Sequence, residues 1–184
     1  MKVRNSFVTN SSSSSFILAL KEGVGKEELK KDRIISKIIT PGNQKIYLCT
    51  GCMDCDENGI CDFKDDMEDN IKKVLESDAL IFITPTRWNT LSGDLKIFMD
   101  RLNPLYTKGS LKDKKMISIA IASKGKEEYS SDGAISALSS FADSAKMKVV
   151  LTHQFNNCLD CADILDKEDE IKELASDIKK KISC

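Results

Sequence analysis

Four cysteines are packed into a short stretch in the first third of the chain. They are Cys49, Cys52, Cys55 and Cys61. Two successive gaps of two residues curl the chain around one centre, and Gly51 eases that curl. Compact cysteine runs of this kind are typical ligands of a [4Fe–4S] cluster, whereas structural zinc prefers two ligand pairs separated by a dozen or more residues. The spacing favours the cluster, with zinc or free thiols as the alternatives.

The rest of the chain offers little side-chain chemistry. His153 is the only histidine, and Cys158 and Cys161 form either a redox dithiol or, as the favoured interpretation, ordinary partly buried thiols. Neither a catalytic triad nor a paired acid and base is visible, so no catalytic residue is predicted. This absence suits redox chemistry carried by bound cofactors.

Size and charge narrow the class of protein. The chain has 184 residues, enough for one domain with a real core, and a net charge of −1 that gives no reason to expect nucleic acid or a membrane surface as partner. No apolar run approaches the length needed to span a bilayer, and the amino terminus does not look like a secretory signal. We therefore expect a cytoplasmic protein whose seven cysteines are used for metal or redox chemistry rather than for disulfides.

Short apolar runs alternate with amphipathic stretches along the chain. The predicted strands are Phe16–Leu20, Lys45–Leu48, Asp78–Ile83, Met116–Ala122 and Met147–Thr152. The predicted helices cover Glu27–Ile39, Met67–Glu76, Gly133–Lys146 and Glu168–Ile182. A further helix, which contains Leu95, Phe98, Met99 and Leu102, follows the loop Thr84–Gly93. This alternation predicts an α/β three-layer sandwich with a five-stranded parallel sheet.

In such sheets ligands bind beyond the carboxyl ends of the strands. The loops expected at that edge are Lys21–Lys26, Cys49–Cys61, Thr84–Gly93, Ser123–Asp132 and Phe155–Ile164. The cysteine loop, Cys49–Cys61, and the loop Thr84–Gly93 are thus predicted to share one edge of the sheet.

The sequence resembles a known family most densely from Cys49 to Leu102. The matching residues are the four cysteines, Asp65-Asp66-Met67, Asp78 to Pro85, Trp88, Ser92 to Lys96, and Phe98 to Arg101. Together they resemble the iron–sulfur flavoproteins, which belong to the NAD(P)H-dependent FMN reductase group of flavodoxin-like proteins. The resemblance implies a flavodoxin-like fold, bound FMN, a nearby [4Fe–4S] cluster, and electron transfer with NAD(P)H or a redox partner protein.

The resemblance also implies where the flavin binds. The loop that matches the cradle of the isoalloxazine ring contains Thr84, Pro85, Thr86, Arg87, Trp88, Asn89, Ser92 and Gly93. Ser123, Lys124 and Gly125 match the loop near the other edge of the ring. Family members of this kind carry the cluster close to a flavin at a subunit interface, which implies a homodimer or homotetramer. Apolar loop residues available for such a contact are Phe63, Trp88, Leu91, Leu105 and Tyr106.

One departure from the family concerns the FMN phosphate. The loop Lys21–Lys26 lacks the serine, proline and arginine of the family pattern, although its glycines and lysines precede a predicted helix. In the alternative register, Met1–Thr9 is the first strand and Asn10–Ser15 is the phosphate loop. The apolar run at Phe16 favours the first register, with residues 1–15 as a serine-rich leader and 16–184 as the domain. If FMN binding is lost, the chain is instead a non-enzymatic iron–sulfur or thiol redox sensor.

The charged residues within the matching stretch have simple structural interpretations. Asp65 and Asp66 are predicted to cap the following helix. Asp100 and Arg101 are predicted to form a local ion pair or an interface contact.

Overall fold

Five strands form one mixed sheet in the computed structural model, which describes residues 16–22, 34–128 and 131–182. The strands are β1 (Phe16–Glu22), β2 (Ile34–Ile39), β3 (Ala79–Pro85), β4 (Lys115–Ile121) and β5 (Lys148–Phe155). Their order across the sheet is β2-β1-β3-β4-β5. Strands β3, β4 and β5 are parallel, whereas β1 is antiparallel to both of its neighbours.

Helices cover both faces of this sheet. They are α1 (Asp54–Asn58), α2 (Met67–Leu75), α3 (Gly93–Asp100), α4 (Asn103–Thr107), α5 (Asp132–Ser144), α6 (Cys161–Leu165) and α7 (Glu168–Ile182). Side chains alternate along a strand, so Leu80 and Phe82 of β3 pack with α2, α3 and α5, whereas Ile81 faces the cluster that contains Leu174 of α7. The three-layer α/β sandwich is therefore confirmed. Among the described helices, none is both long and apolar enough to cross a membrane.

The central strands are apolar along almost their whole length. Every residue of β3 except Ile83 is buried, as is the middle of β4 from Met116 to Ala120. Such continuous runs are expected where a parallel strand is covered on both faces. This is why the sequence predicts these two strands so clearly.

Two predicted elements near the amino terminus are wrong. Residues 34–39, predicted as the end of a helix, form strand β2 and pair with β1. The four isoleucines of this segment explain the outcome, because β-branched side chains suit a strand. The predicted strand Lys45–Leu48 stays outside the sheet, and its backbone is bound by Asp65 and Asp66 instead.

The prediction of five parallel strands holds for three of them only. Because β1 is antiparallel, Phe16 pairs with Ile83 at the carboxyl end of β3, and Leu20 pairs with Ala79 at its amino end. Lys21 and Glu22, which begin the favoured phosphate loop, therefore lie at the sheet edge opposite Thr84. The remainder of that loop and the leader 1–15 lie outside the described residues.

Candidate cofactor sites

The loops that follow the three parallel strands are joined by backbone hydrogen bonds. The Thr86 amide donates to the Ile121 carbonyl at 2.8 Å, and the Ala122 amide donates to the Phe155 carbonyl at 2.8 Å. The Asn157 amide donates to the Lys124 carbonyl at 3.1 Å. The structure therefore places the loop Thr84–Gly93 beside the loop that contains Ser123 and Gly125, at the carboxyl edge of the sheet.

A tight turn forms the tip of the first of these loops. Arg87 and Thr90 exchange backbone hydrogen bonds of 2.8 and 3.0 Å, and Trp88 and Asn89 between them have φ values of 50° and 58°. Two successive positive φ values define a type I′ turn, which favours asparagine and glycine. A tryptophan in this conformation is strained, and its side chain is 100% exposed. This strained conformation at an exposed aromatic side chain makes Trp88 a candidate for contact with a ligand.

Buried hydrogen bonds connect the two ends of the loop Thr84–Gly93. The buried Thr84 hydroxyl oxygen accepts a hydrogen bond from the Ser92 amide at 3.1 Å, and the Thr84 hydroxyl donates to the Pro85 carbonyl at 3.0 Å. The Ser92 hydroxyl in turn donates to Asp94. Thr84, Pro85 and Ser92 are buried, so these predicted site residues position the loop. Others of the predicted set face solvent, namely Arg87, Trp88, Asn89, Gly93 and Ser123, while Thr86 and Gly125 are half-buried.

A glycine that sequence reasoning missed fixes the turn against α5. A Cβ atom at Gly133 would lie 1.8 Å from the Asn89 carbonyl oxygen, so only glycine permits this approach. The start of α5 is also tied to β5 and the loop after it. The side-chain Nε2 of Gln154 donates to Asp132 Oδ1 at 2.8 Å, and the Ser131 hydroxyl donates to Asn156 Oδ1 at 3.1 Å. The only sequence signal was a glycine directly inside a predicted helix start.

The cysteine loop lies away from this edge, contrary to the sequence-based expectation. Asn103 Nδ2 of α4 lies 3.1 Å from Cys55 Sγ, and the Thr107 hydroxyl donates to the Cys55 carbonyl at 3.2 Å. Cys49 lines an open groove of about 720 Å³ together with Met99 near the end of α3 and Ala145 after the end of α5. The cysteines therefore sit beyond the carboxyl-terminal end of α3, whereas Thr84–Gly93 precedes its start.

The path of the chain explains this displacement. Strand β2 ends at the carboxyl edge, and Gly42 then lies against Asp94 at the start of α3. The irregular segment from Lys45 to Leu48 carries the chain to the other end of α3, where Arg101 binds the Tyr47 carbonyl, before Cys49 is reached. Because α3 has eight residues, it separates the two predicted sites by roughly 12 Å along its axis.

All four predicted ligand cysteines line one small cavity. Cys55 is buried, Cys61 is half-buried, and Cys49 and Cys52 are exposed. The predicted curl is present, because Gly51, Met53 and Gly59 have φ values of 68°, 69° and 74°. Within the described residues, no three His, Cys, Asp or Glu side chains stand close enough to hold a metal ion. The loop thus brings its cysteines to one cavity without closing them into a ligand set.

A buried ion pair anchors this loop. Arg101 Nη1 and Nη2 donate to Asp65 Oδ2 and Oδ1 at 2.6 and 3.1 Å, and both side chains are almost fully buried. Asp65 also accepts from the amides of Tyr47 at 2.8 Å and Met67 at 3.0 Å. Burial opposes ionisation of Asp65, but the hydrogen bonds from Arg101, Tyr47 and Met67 outweigh it and hold its pKa below the usual value.

This pairing revises two predictions. Asp65 does accept from the Met67 amide at the start of α2, as predicted for a cap, but its main partner is Arg101. The side chain of Asp66 makes no cap hydrogen bond and accepts from the Lys45 amide instead. Asp100 does not pair with Arg101, because it binds Lys96 at 2.5 Å.

Cys158 and His153 are each bound by neighbouring residues, whereas the side chain of Cys161, the other half of the predicted dithiol, lies outside the described residues. Burial raises the pKa of the Cys158 thiol, which disfavours the thiolate that redox chemistry needs. His153 Nε2 lies 2.9 Å from Glu170 Oε1, and its ring packs on Phe155. Both residues therefore have local structural partners.

Three parallel strands between helical layers, with interlinked loops at the carboxyl edge, define a flavodoxin-like α/β protein. The model of the NADPH-dependent FMN reductase family matches residues 8–159. The chain therefore belongs to this family of flavin-dependent oxidoreductases. The match begins inside the segment predicted as a leader.

Two relatives of this chain are named iron–sulfur flavoproteins. The chain is 30% identical over 93 residues to an iron–sulfur flavoprotein of Methanocaldococcus jannaschii, covering 50% of this chain and 48% of the relative. It is 37% identical over 102 residues to an iron–sulfur flavoprotein of Archaeoglobus fulgidus, covering 55% and 43%. The matches thus span about half of each curated relative or less. They confirm the resemblance to iron–sulfur flavoproteins within the FMN reductase group.

A solved structure is similar in fold. A flavone reductase matches with a TM-score of 0.53 and 20% identity, over 67% of this chain and 47% of that one. At this identity the likeness concerns the fold alone.

Proposed function

We propose that this chain is an electron-transfer flavoprotein that resembles the FMN reductases, holds FMN at the carboxyl edge of the sheet, and holds a [4Fe–4S] cluster on Cys49, Cys52, Cys55 and Cys61. Its electron donor is NAD(P)H or a redox partner protein. The observation that carries the proposal is that all four cysteines line one cavity in a member of the NADPH-dependent FMN reductase family.

The loop Thr84–Gly93 fits a flavin. Trp88 presents a bare aromatic ring on a strained turn, Arg87 supplies a positive charge beside it, and the loop from Ser123 to Gly125 lies alongside. Stacking on an aromatic ring is a common way to hold a planar heterocycle. Bound FMN supplies the hydride and one-electron chemistry that no side chain of this site supplies.

The direction of β1 bears on the phosphate end of FMN. Its first residue, Phe16, pairs with Ile83 at the edge where the flavin loops lie, whereas Lys21 and Glu22 lie at the opposite edge. This arrangement disfavours the first register, in which the loop that begins at Lys21 holds the phosphate.

The cysteine loop fits an iron–sulfur cluster. Cys55 is already buried and receives a hydrogen bond on its sulfur from Asn103. Closing the ligand set requires the exposed thiols of Cys49 and Cys52 to turn into the cavity that they line. The bound cluster supplies one-electron transfer.

The separation of the two sites supports assembly. Within one chain α3 lies between the cysteine loop and the loop Thr84–Gly93, here called the proposed flavin loop, so contact between cluster and flavin is better made across subunits. Leu91 and Leu105, which the sequence offered for such a contact, are buried. The apolar side chains exposed in or near the cysteine loop are Tyr47, Leu48, Met53, Ile60 and Tyr106. We propose a homodimer or homotetramer in which the cluster of one subunit faces the flavin of another.

A non-enzymatic redox sensor is the second candidate. The exposure of Cys49 and Cys52 favours it, because accessible thiols or an accessible cluster respond directly to oxidants.

Purification without oxygen, followed by an absorption spectrum and assays of FMN, iron and sulfide, separates these functions. The flavoprotein proposal expects flavin bands together with a broad cluster absorption and equal iron and sulfide. Iron and sulfide without flavin, and no FMN binding in a titration, would support the sensor. Cys52→Ser should remove the iron, whereas the matched variant Cys158→Ser should retain it. Absence of iron and sulfide from the reconstituted wild-type protein would contradict the cluster.

A further inference from the structure

We propose that the corner between α3 and α4, which carries Arg101 and Asn103, raises the reduction potential of the cluster by directing N–H donors at its ligand sulfurs. This inference rests on the proposed function, because it requires the cluster on the four cysteines.

Asn103 supplies the more direct contact. Its Nδ2 lies 3.1 Å from Cys55 Sγ, and the same amide also donates to Asp56 Oδ1 at 2.9 Å. Cys55 is the most buried of the four ligand cysteines, and a hydrogen bond to a buried sulfur acts in a low local dielectric. The Thr107 hydroxyl holds the Cys55 carbonyl but leaves the sulfur untouched.

Arg101 supplies a positive charge to the same cavity. Its side chain is almost fully buried, and its Nε has no hydrogen-bond partner among the described residues. Arg101 lines the cysteine cavity whereas Asp65 does not, so the positive charge lies on the side of the ion pair nearer to the cysteines, with Nε as its one unpartnered donor.

Negative charges around the cavity are placed differently. Asp62 and Asp100 also line it, but both are exposed to water, where their fields are screened. Asp100 is further neutralised by Lys96. The buried polar groups that face the cavity are therefore donors and a cation.

Donors of this kind stabilise the reduced form more than the oxidised form. Four thiolates give the cluster a net negative charge, and reduction adds one electron to it. Hydrogen bonds to the sulfurs and nearby positive charge are established determinants of cluster potential. Because the ion pair with Asp65 fixes the corner, the donors are held in place before and after the electron arrives.

The test is a potentiometric titration of the cluster, followed by electron paramagnetic resonance, in the FMN-loaded protein without oxygen. At the wild-type midpoint potential, Asn103→Ala should lower the ratio of reduced to oxidised cluster about tenfold, a shift of about 59 mV for one electron. Asn103→Asp should lower it further, because it replaces the donor with a negative charge. The matched control Thr107→Val, which alters a contact to Cys55 but not to its sulfur, should leave the potential unchanged.

Each outcome has a defined meaning. If both Asn103 variants hold the cluster at the wild-type potential, or if Thr107→Val shifts it equally, the inference is overturned while the proposed function stands. If the Asn103 variants fail to hold iron, Arg101→Lys decides, because it keeps the charge toward Asp65 and removes the Nε donor. A lowered potential in Arg101→Lys supports the inference and an unchanged one overturns it. Wild-type protein without iron defeats the proposed function itself.

Discussion

Arg101 and Asp65 form a buried ion pair that ties both ends of the cysteine loop to the end of α3. Asp65 follows the last cysteine of the loop by four residues, and it accepts from the Tyr47 amide, two residues before the first cysteine. Arg101 Nη1 also donates to the Tyr47 carbonyl at 2.8 Å. The position of the loop is therefore determined by side chains outside it.

Asp65→Asn should destabilise the fold strongly. The change leaves the buried guanidinium of Arg101 without its counter-charge, and breaking a buried pair costs about 3–5 kcal/mol. Urea unfolding measures the loss. The control Asp66→Asn alters an exposed carboxylate that accepts only a 2.8 Å bond from the Lys45 amide and should cost about 0.5–1.5 kcal/mol. Equal losses of unfolding free energy in the two variants would show that the Asp65–Arg101 pair stabilises the fold no more than an exposed carboxylate does.

Stability should fall in acid because of the same carboxylate. The pKa of Asp65 is lowered in the folded state, so its contribution is fully present above the unfolded value of about 3.9 and is lost as pH falls through the folded value. Urea midpoints measured from pH 6 down to pH 2 should decline most steeply below about pH 4. The decline should be shallower in Asp65→Asn. If the urea midpoints of the two proteins fell in parallel with pH, Asp65 would not be the source of the acid sensitivity.

The sequence predicted best where burial determines the residue types. The run Asp78–Ile83 and the four cysteines indicated the central strand and the cysteine cavity, because two-sided burial and a tight chain curl restrict composition. The segment Ile34–Ile39 was misassigned because its isoleucines fit one face of a helix as well as a strand. Only its pairing with β1 decides between them, and that pairing is not local.

Long-range contacts also explain what was missed at the sites. The pairing of Asp65 with Arg101 joins residues 36 positions apart, and neither residue carries a local signal of burial. The cysteine loop was placed at the wrong edge because Lys45–Leu48 has the composition of a strand. Asp65 and Asp66 bind its backbone outside the sheet instead.

Gly133→Ala should displace the turn at Asn89, because Gly133 of α5 packs directly against it. The new Cβ would lie 1.8 Å from the Asn89 carbonyl oxygen, and such overpacking costs about 1–3 kcal/mol. Urea unfolding should show this loss, and FMN titration should show weaker binding because the turn must move. The control is Gly93→Ala at the first residue of α3, where the new Cβ atom would meet no other atom within 4 Å. The free energy of unfolding of this variant should stay equal to that of the wild type or rise by up to about 1 kcal/mol. A Gly133→Ala protein as stable as Gly93→Ala would contradict the close approach.

Trp88→Gly should separate stability from flavin binding. Relief of the left-handed conformation should raise the free energy of unfolding of the flavin-free protein by about 1 kcal/mol. Loss of the ring should weaken FMN binding by about 1–3 kcal/mol, by analogy with the stacking of bases on aromatic side chains. Trp88→Phe keeps both the ring and the strain and should change neither quantity much. Unaltered FMN affinity in Trp88→Gly would show that the exposed ring does not contact the flavin.

Assembly should depend on the apolar surface beside the cysteine loop. Leu48 and Met53 are each 65% exposed, and a cluster on this loop is shielded from water and oxygen only if another subunit covers it. Light scattering of the anaerobic, cofactor-loaded protein should give a dimer or tetramer. Leu48→Glu combined with Met53→Lys should shift it toward the monomer mass of 20.5 kDa and make the cluster more sensitive to air.

The matched control for assembly is Leu165→Lys, which alters a side chain of similar exposure in α6. It should leave both the mass and the oxygen sensitivity unchanged, because α6 follows β5 and lies apart from the cysteine loop. A wild-type mass near 20.5 kDa at micromolar concentration would rule out the shared site. Electrons would then have to pass along α3 within one chain, and transfer between cluster and flavin should be independent of protein concentration.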